Sequence, residues 1–84
     1  MSDPAEEGVL EGFAVEASTG TKYHFAGHYI VVGTAGHYAV GLADSRGEHL
    51  GRATGTVAVN GAAAHEAIVN VVKQIVVAGT WQRR

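Results

Sequence analysis

Residues 38–77, YAVGLADSRGEHLGRATGTVAVNGAAAHEAIVNVVKQIVV, decide the fold. The first part alternates with the period of a strand: Tyr38, Val40 and Leu42 fall on one side, and His37, Ala39 and Gly41 on the other. Asp44-Ser45-Arg46-Gly47 has aspartate first and glycine fourth, the chemistry of a type I turn. A second strand then runs from Glu48 to Val59. From about Gly61 to Val77 the period changes. Val and Ile dominate and favour strands, but the polar residues Glu66, Asn70, Lys73 and Gln74 recur at intervals of three and four, which is helical spacing. Ala64, Ile68, Val71, Val72 and Ile75 form the inward stripe, and Val69, Val72 and Val76 a second apolar line beside it. Asn60 is the expected N-cap and Gly79 the expected stop.

Working outward, Lys22 to Val32 alternates well. Tyr23, Phe25, Gly27, Tyr29 and Val31 share one side, and His24, Ala26, His28, Ile30 and Val32 the other. Gly33-Thr34-Ala35-Gly36 reads as a hairpin loop. Val9 to Ser18 forms a further strand, with Val9, Phe13, Val15 and Ala17 on one side. It ends in the turn Ser18-Thr19-Gly20-Thr21. Residues 1–8 are expected to be a flexible leader, residues 9–84 a single domain, and Thr80 to Arg84 a tail from which Trp81 can fold back onto the core. The expected fold is α+β: an antiparallel sheet of about four strands with one long C-terminal helix packed on one face.

If both hairpin loops hold four residues, Val32 faces His37 and Ala43 faces Glu48. The sheet then has one face of Tyr23, Phe25, Tyr29, Val31, Tyr38, Val40, Leu42, Gly51, Ala53, Gly55 and Val57, a core face with a trough of small residues for the helix. The opposite face collects His24, His28, Ile30, Val32, His37, Ala39, Leu50, Arg52, Thr54 and Thr56, which is too apolar to be merely wet.

An 84-residue chain buries only about 60–65% of its unfolded surface. Domains of this size gain stability from disulfides, metals or association. The chain has no cysteine, so disulfides and thiolate metal sites are excluded. A net charge of −2 without a basic stripe argues against nucleic acid, and no apolar run reaches the length of a membrane span. The cytoplasm is the expected compartment. His24 and His28 are separated by roughly 13 Å of strand rise, too far for one zinc ion, and no metal or cofactor is expected. His65-Glu66 lacks the second histidine of a zinc helix, because that position is Val69. The junction Asn60, Gly61, Ala62 with His65 offers free backbone N–H groups and the positive end of the helix, a candidate site for a small anionic ligand. The candidate interface comprises His28, Ile30, Val32, His37, Leu50, Arg52, Val69 and Val76, and the expected partner is a second copy of the chain.

The residue order from Phe13 to Ile75 resembles the leucine-sensing regulatory domain of 2-isopropylmalate synthases. The resemblance rests on Ser18-Thr19-Gly20-Thr21, Tyr38-Ala39-Val40-Gly41-Leu42, Asp44-Ser45-Arg46-Gly47, Ala53-Thr54-Gly55 and Ala62-Ala63-Ala64-His65-Glu66-Ala67-Ile68. That family's helix opens with Gly-Pro-Val-Asp, whereas the matching stretch here is Thr56-Val57-Ala58-Val59-Asn60-Gly61. Its domain has two strand-helix repeats where this chain has one helix. The resemblance implies a stand-alone, non-catalytic, self-associating module that binds a small ligand or a partner protein. Two other classes are open. One is a small oligomeric isomerase or cyclase using interfacial histidines for acid–base work. The other is an RNA-binding domain of βββα order.

Overall fold

The computed structural model describes residues 6–59 and 63–83. Among these the chain forms β1 (Glu6–Val15), β2 (Lys22–Val32), β3 (Ala35–Ala43), β4 (His49–Ala58), α1 (Ala64–Ala78) and β5 (Gln82–Arg83). The architecture is α+β: one antiparallel sheet in the order β1-β2-β3-β4-β5, with α1 on one face. The sheet has five strands rather than about four, because Gln82 and Arg83 pair with Arg52 and Gly51 instead of trailing off. The first strand also begins earlier than expected, within the stretch read as a leader. Glu6, Glu7 and Gly8 belong to β1, opposite Val31, Ile30 and Tyr29.

The core lies between α1 and the sheet. Tyr23, Phe25, Tyr29, Val31, Tyr38, Val40, Leu42 and Ala53 are buried from the sheet, and Ala64, Ile68, Val72 and Val76 from the helix. The helix residues recur every fourth position and so form one inward ridge. Val76, expected on a second apolar line and at an interface, has no exposed surface and belongs to this ridge. Val69 is half-buried and packs against the same core. Val76 is thus taken up within the protomer, and Val69 stands on the helix rather than on the open face of the sheet. Helix α1 starts at Ala64 rather than near Gly61, and Ala63 at its start makes no side-chain cap. Asn60, the expected cap, lies outside the described residues, as do Gly61 and Ala62. The C-terminal end is as expected: Gly79 adopts the left-handed conformation at φ 70°. Its N–H donates to Val76 O and that of Thr80 to Ile75 O, the pair of bonds of a Schellman motif.

Both hairpin loops differ from the four residues expected, yet the faces of the sheet are preserved. Val32 pairs with Ala35, so the first loop is Gly33-Thr34, with Gly33 at φ 63°. Glycine at the first position of a two-residue loop is what a type II′ hairpin requires. The register moves by two residues, which leaves every side chain on its expected face. In the second loop Ala43 pairs with His49, so residues 44–48 form the connection. Asp44 Oδ1 accepts from the N–H groups of Arg46 at 2.9 Å and Glu48 at 3.0 Å, and Asp44 O accepts from Gly47 N–H. This one-residue shift would invert β4, but the register shifts again, from Ala43↔His49 to Leu42↔Gly51. Leu50 is therefore the bulged residue. It packs on the core cluster, which corrects its assignment to the open face.

Strand β1 contributes Leu10 to the core, with no exposed surface, alongside Gly8, Gly12 and Ala14 on the same side. The aromatic rings of β2 lie across the glycines. A Cβ on Gly8 would fall 2.7 Å from Tyr29 Cε1, and one on Gly12 2.9 Å from Phe25 Cζ. Val9, Phe13 and Val15 consequently point away from the helix.

Trp81 folds back as expected and meets Tyr23 edge-on at 5.1 Å. Beside it Glu16, a buried carboxylate, accepts hydrogen bonds from Thr19 Oγ1 at 3.0 Å and Tyr23 OH at 3.4 Å. Arg83 Nη2 approaches Glu16 Oε2 at 3.3 Å, and its guanidinium lies 4.1 Å over the Trp81 ring. The hydrogen bond to Tyr23 OH and then the Glu16 charge raise the Arg83 pKa above its ordinary value. This cluster fastens β5 to the turn after β1. No helix among the described residues is long and apolar enough to cross a membrane.

Candidate functional site

The candidate site is the sheet face that α1 leaves open. Its layout follows from the strand register, which aligns residues in rows across β1, β2, β3 and β4. One row is Glu7, Ile30, His37, Thr56, and the next is Val9, His28, Ala39, Thr54. Below these come Glu11, Ala26, Gly41, Arg52, and then Phe13, His24, Ala43, His49. The floor along β3 is small, since Ala39, Gly41 and Ala43 occupy its centre. Larger side chains stand on β1 and β4.

Two hollows result. The larger, about 520 Å³, is lined among others by Glu7, Val9, His28, Ile30, His37 and Ala39. The second, about 440 Å³, lies towards Glu11, His24, Gly41, Ala43 and His49. The first combines an apolar wall with two imidazoles and a carboxylate, a composition suited to a small molecule with an apolar body and a polar end. His37 is fixed in place, because its Nδ1 lies 3.1 Å from Thr56 Oγ1. That bond leaves Nε2 as the ring nitrogen able to meet a ligand. Phe13 is held between the His24 ring, 6.1 Å away, and Lys22 Nζ, 4.1 Å from its centroid.

Of the residues expected at an interface, His28, Ile30, Val32, His37 and Arg52 are brought together on this face and are exposed. Leu50, Val69 and Val76 are not, as described above. Of the expected ligand-binding residues, Asn60, Gly61 and Ala62 lie outside the described residues. His65 is exposed on the first turn of α1, its ring 5.7 Å from that of Tyr29, on the helix side of the sheet and away from both hollows. No group of three or more His, Asp or Glu among the described residues is placed to hold a metal ion.

Sequence reasoning missed Glu7, Val9, Phe13 and Val15 as members of this face. Their apolar alternation suggests an inward side. The signal that reveals the opposite is steric: Gly8 and Gly12 are the residues on β1 that leave room for the Tyr29 and Phe25 rings.

Compared with protein-family models, curated proteins and solved structures, the chain matches none.

Proposed function

We propose that this chain is a non-catalytic module that self-associates through its open sheet face and binds a small ligand in the hollow on that face. The observation that carries the reading is where the exposed apolar side chains lie. Val9 is 58% exposed, Phe13 54% and Val32 57%, with Val15 and Ile30 also exposed, so five of the six exposed large apolar side chains among the described residues stand on the face opposite the helix, the sixth being Val77 on α1. Single exposed apolar residues are ordinary, but a contiguous set on one face marks an interaction surface. Four strands about 4.8 Å apart, with rows about 6.8 Å apart along them, present on the order of 600 Å² of flat area. Side-chain relief brings this near the ~800 Å² per partner of a standard stable interface. The ligand part is supported by the hollow of about 520 Å³ with its mixed lining and by the resemblance to the leucine-sensing regulatory domain of 2-isopropylmalate synthases.

Sedimentation equilibrium at micromolar concentration and pH 7.5 tests the association. A dimer is expected, and a folded monomer would remove that part. Thermal-shift measurements against a set of amino and keto acids test the ligand. A stabilising response that disappears on His37→Ala supports the hollow as the site, and a flat response across the set removes it.

A further inference from the structure

The open face carries the charged side chains Glu7, Glu11, Lys22 and Arg52, and two of them, Glu11 and Arg52, stand at opposite ends of one row. Resting on the self-association reading above, we infer that the copies pack sheet to sheet about a two-fold axis parallel to the strands, above the line between β2 and β3, pairing Glu11 of each copy with Arg52 of the other.

The argument starts from the rows. Glu11 on β1 and Arg52 on β4 belong to the same row, with Ala26 and Gly41 between them. Three strand spacings of about 4.8 Å hold them roughly 14 Å apart within one chain, and both are exposed. The ion pair between Arg83 and Glu16 uses neither. A two-fold axis parallel to the strands between β2 and β3 keeps each row on itself and exchanges its ends. The β1 end of one copy then lies over the β4 end of the other, so two Glu11–Arg52 pairs form symmetrically. Packed sheets stand about 10 Å apart, a gap that an arginine and a glutamate span together. The usual ~30° rotation between packed sheets displaces the two ends by only a few ångströms, within the reach of both side chains.

Shape agrees with charge. In this arrangement His28 of one copy stands over Ala39 of the other, and His24 over Ala43, so each imidazole meets a small side chain across the interface. Ile30 meets His37. A two-fold axis running across the strands lays β1 on β1 and β4 on β4, so wherever it is centred it pairs neither Glu11 nor Arg52 with an opposite charge. It stacks Glu11 on Glu11 and Arg52 on Arg52, or Glu11 on Glu7, or sets Glu11 against Val9 and leaves Arg52 facing Thr54. Like charges directly opposed cost affinity, and the axis along the strands sets neither Glu11 nor Arg52 against its like; Glu7, on the outer strand, then faces Thr56.

Charge reversal with complementation tests this arrangement. Glu11→Arg leaves a chain with arginine at both ends of the row, and Arg52→Glu a chain with glutamate at both ends. Each alone is expected to associate at least about tenfold more weakly than the wild type. Their equimolar mixture restores both attractive pairs, so sedimentation equilibrium of the mixture should return a dimer near wild-type affinity, a recovery that misfolded chains do not give. A mixture no tighter than its components overturns the arrangement, and so do single variants as tight as the wild type, while in both cases the self-association reading stands. A monomeric wild type overturns both.

Discussion

The two faces of this sheet are built from the same strands in alternate positions, yet they solve different problems. The covered face places four buried side chains of α1 on aromatic and branched residues, and its glycines admit rings from the neighbouring strand. The open face has the same strand spacing but a small-residue floor, flanking imidazoles, charged side chains on its outer strands and five exposed apolar side chains. Burial is therefore a property of what lies above each face rather than of apolar content alone. The covered face stabilises the protomer, and the open face carries surface in excess of what the protomer uses.

The sharpest way to break that division is to damage the covered face. Ile68 has no exposed surface and stands in the middle of the helix ridge. Ile68→Ala removes the buried methyl groups and leaves a cavity, and should cost about 2–5 kcal/mol, read as a fall in the urea midpoint. Such a loss is a large share of the stability of a small domain. The open face should behave in another way. Val9→Ser with Phe13→Ser removes two exposed side chains, so the stability of the dilute protomer should change by less than about 1 kcal/mol. What should vanish is concentration dependence. The wild-type melting temperature should rise with protein concentration, as for any chain whose folded state associates, and that of the double variant should stay flat.

The smallest effect concerns Tyr38, whose buried hydroxyl has its pKa raised above the ordinary 10.0 by desolvation. A raised value means that the folded chain holds the phenolic proton more tightly than the unfolded chain does. Its contribution is whole below pH 10.0 and is lost as the pH climbs through the folded value. The wild-type melting temperature should therefore fall more between about pH 9 and about pH 11 than that of Tyr38→Phe. Equal falls would show that this hydroxyl does not sense the covered face.

How much of the comparison is readable from sequence depends on the strand. In β3 large and small residues alternate from Tyr38 to Ala43, and in β2 the rings of Tyr23, Phe25 and Tyr29 fall at every second position, so both faces follow from period alone. In α1 the three-and-four spacing of Glu66, Asn70, Lys73 and Gln74 overrides the strand preference of Val and Ile. Strand β1 misleads because its apolar positions are the outward ones. Its inward residues, apart from Leu10, are small, and their orientation is set by rings on another strand. Leu50 misleads because a bulge leaves no mark in composition. Gln82 and Arg83 carry no periodic pattern, and their pairing depends on Trp81 docking beside Gly51. The larger hollow was half legible. His28, Ile30 and His37 were on the expected face, whereas Glu7 and Val9 arrive there only through the pairing of β1 with β2.

The strand order has a kinetic meaning. Every strand neighbours in space the strand next to it in sequence, even where α1 intervenes before β5. The chain can therefore close the Gly33-Thr34 hairpin and the Asp44 turn independently, each at the small entropic cost of a short loop. One step spans most of the chain: seating the end of α1 on the turn after β1, where Ala17 N–H donates to Val77 O at 3.0 Å and Arg83 reaches Glu16. The sole tryptophan, Trp81, is buried at that junction, so its fluorescence reports this closure rather than the earlier pairing of the hairpins.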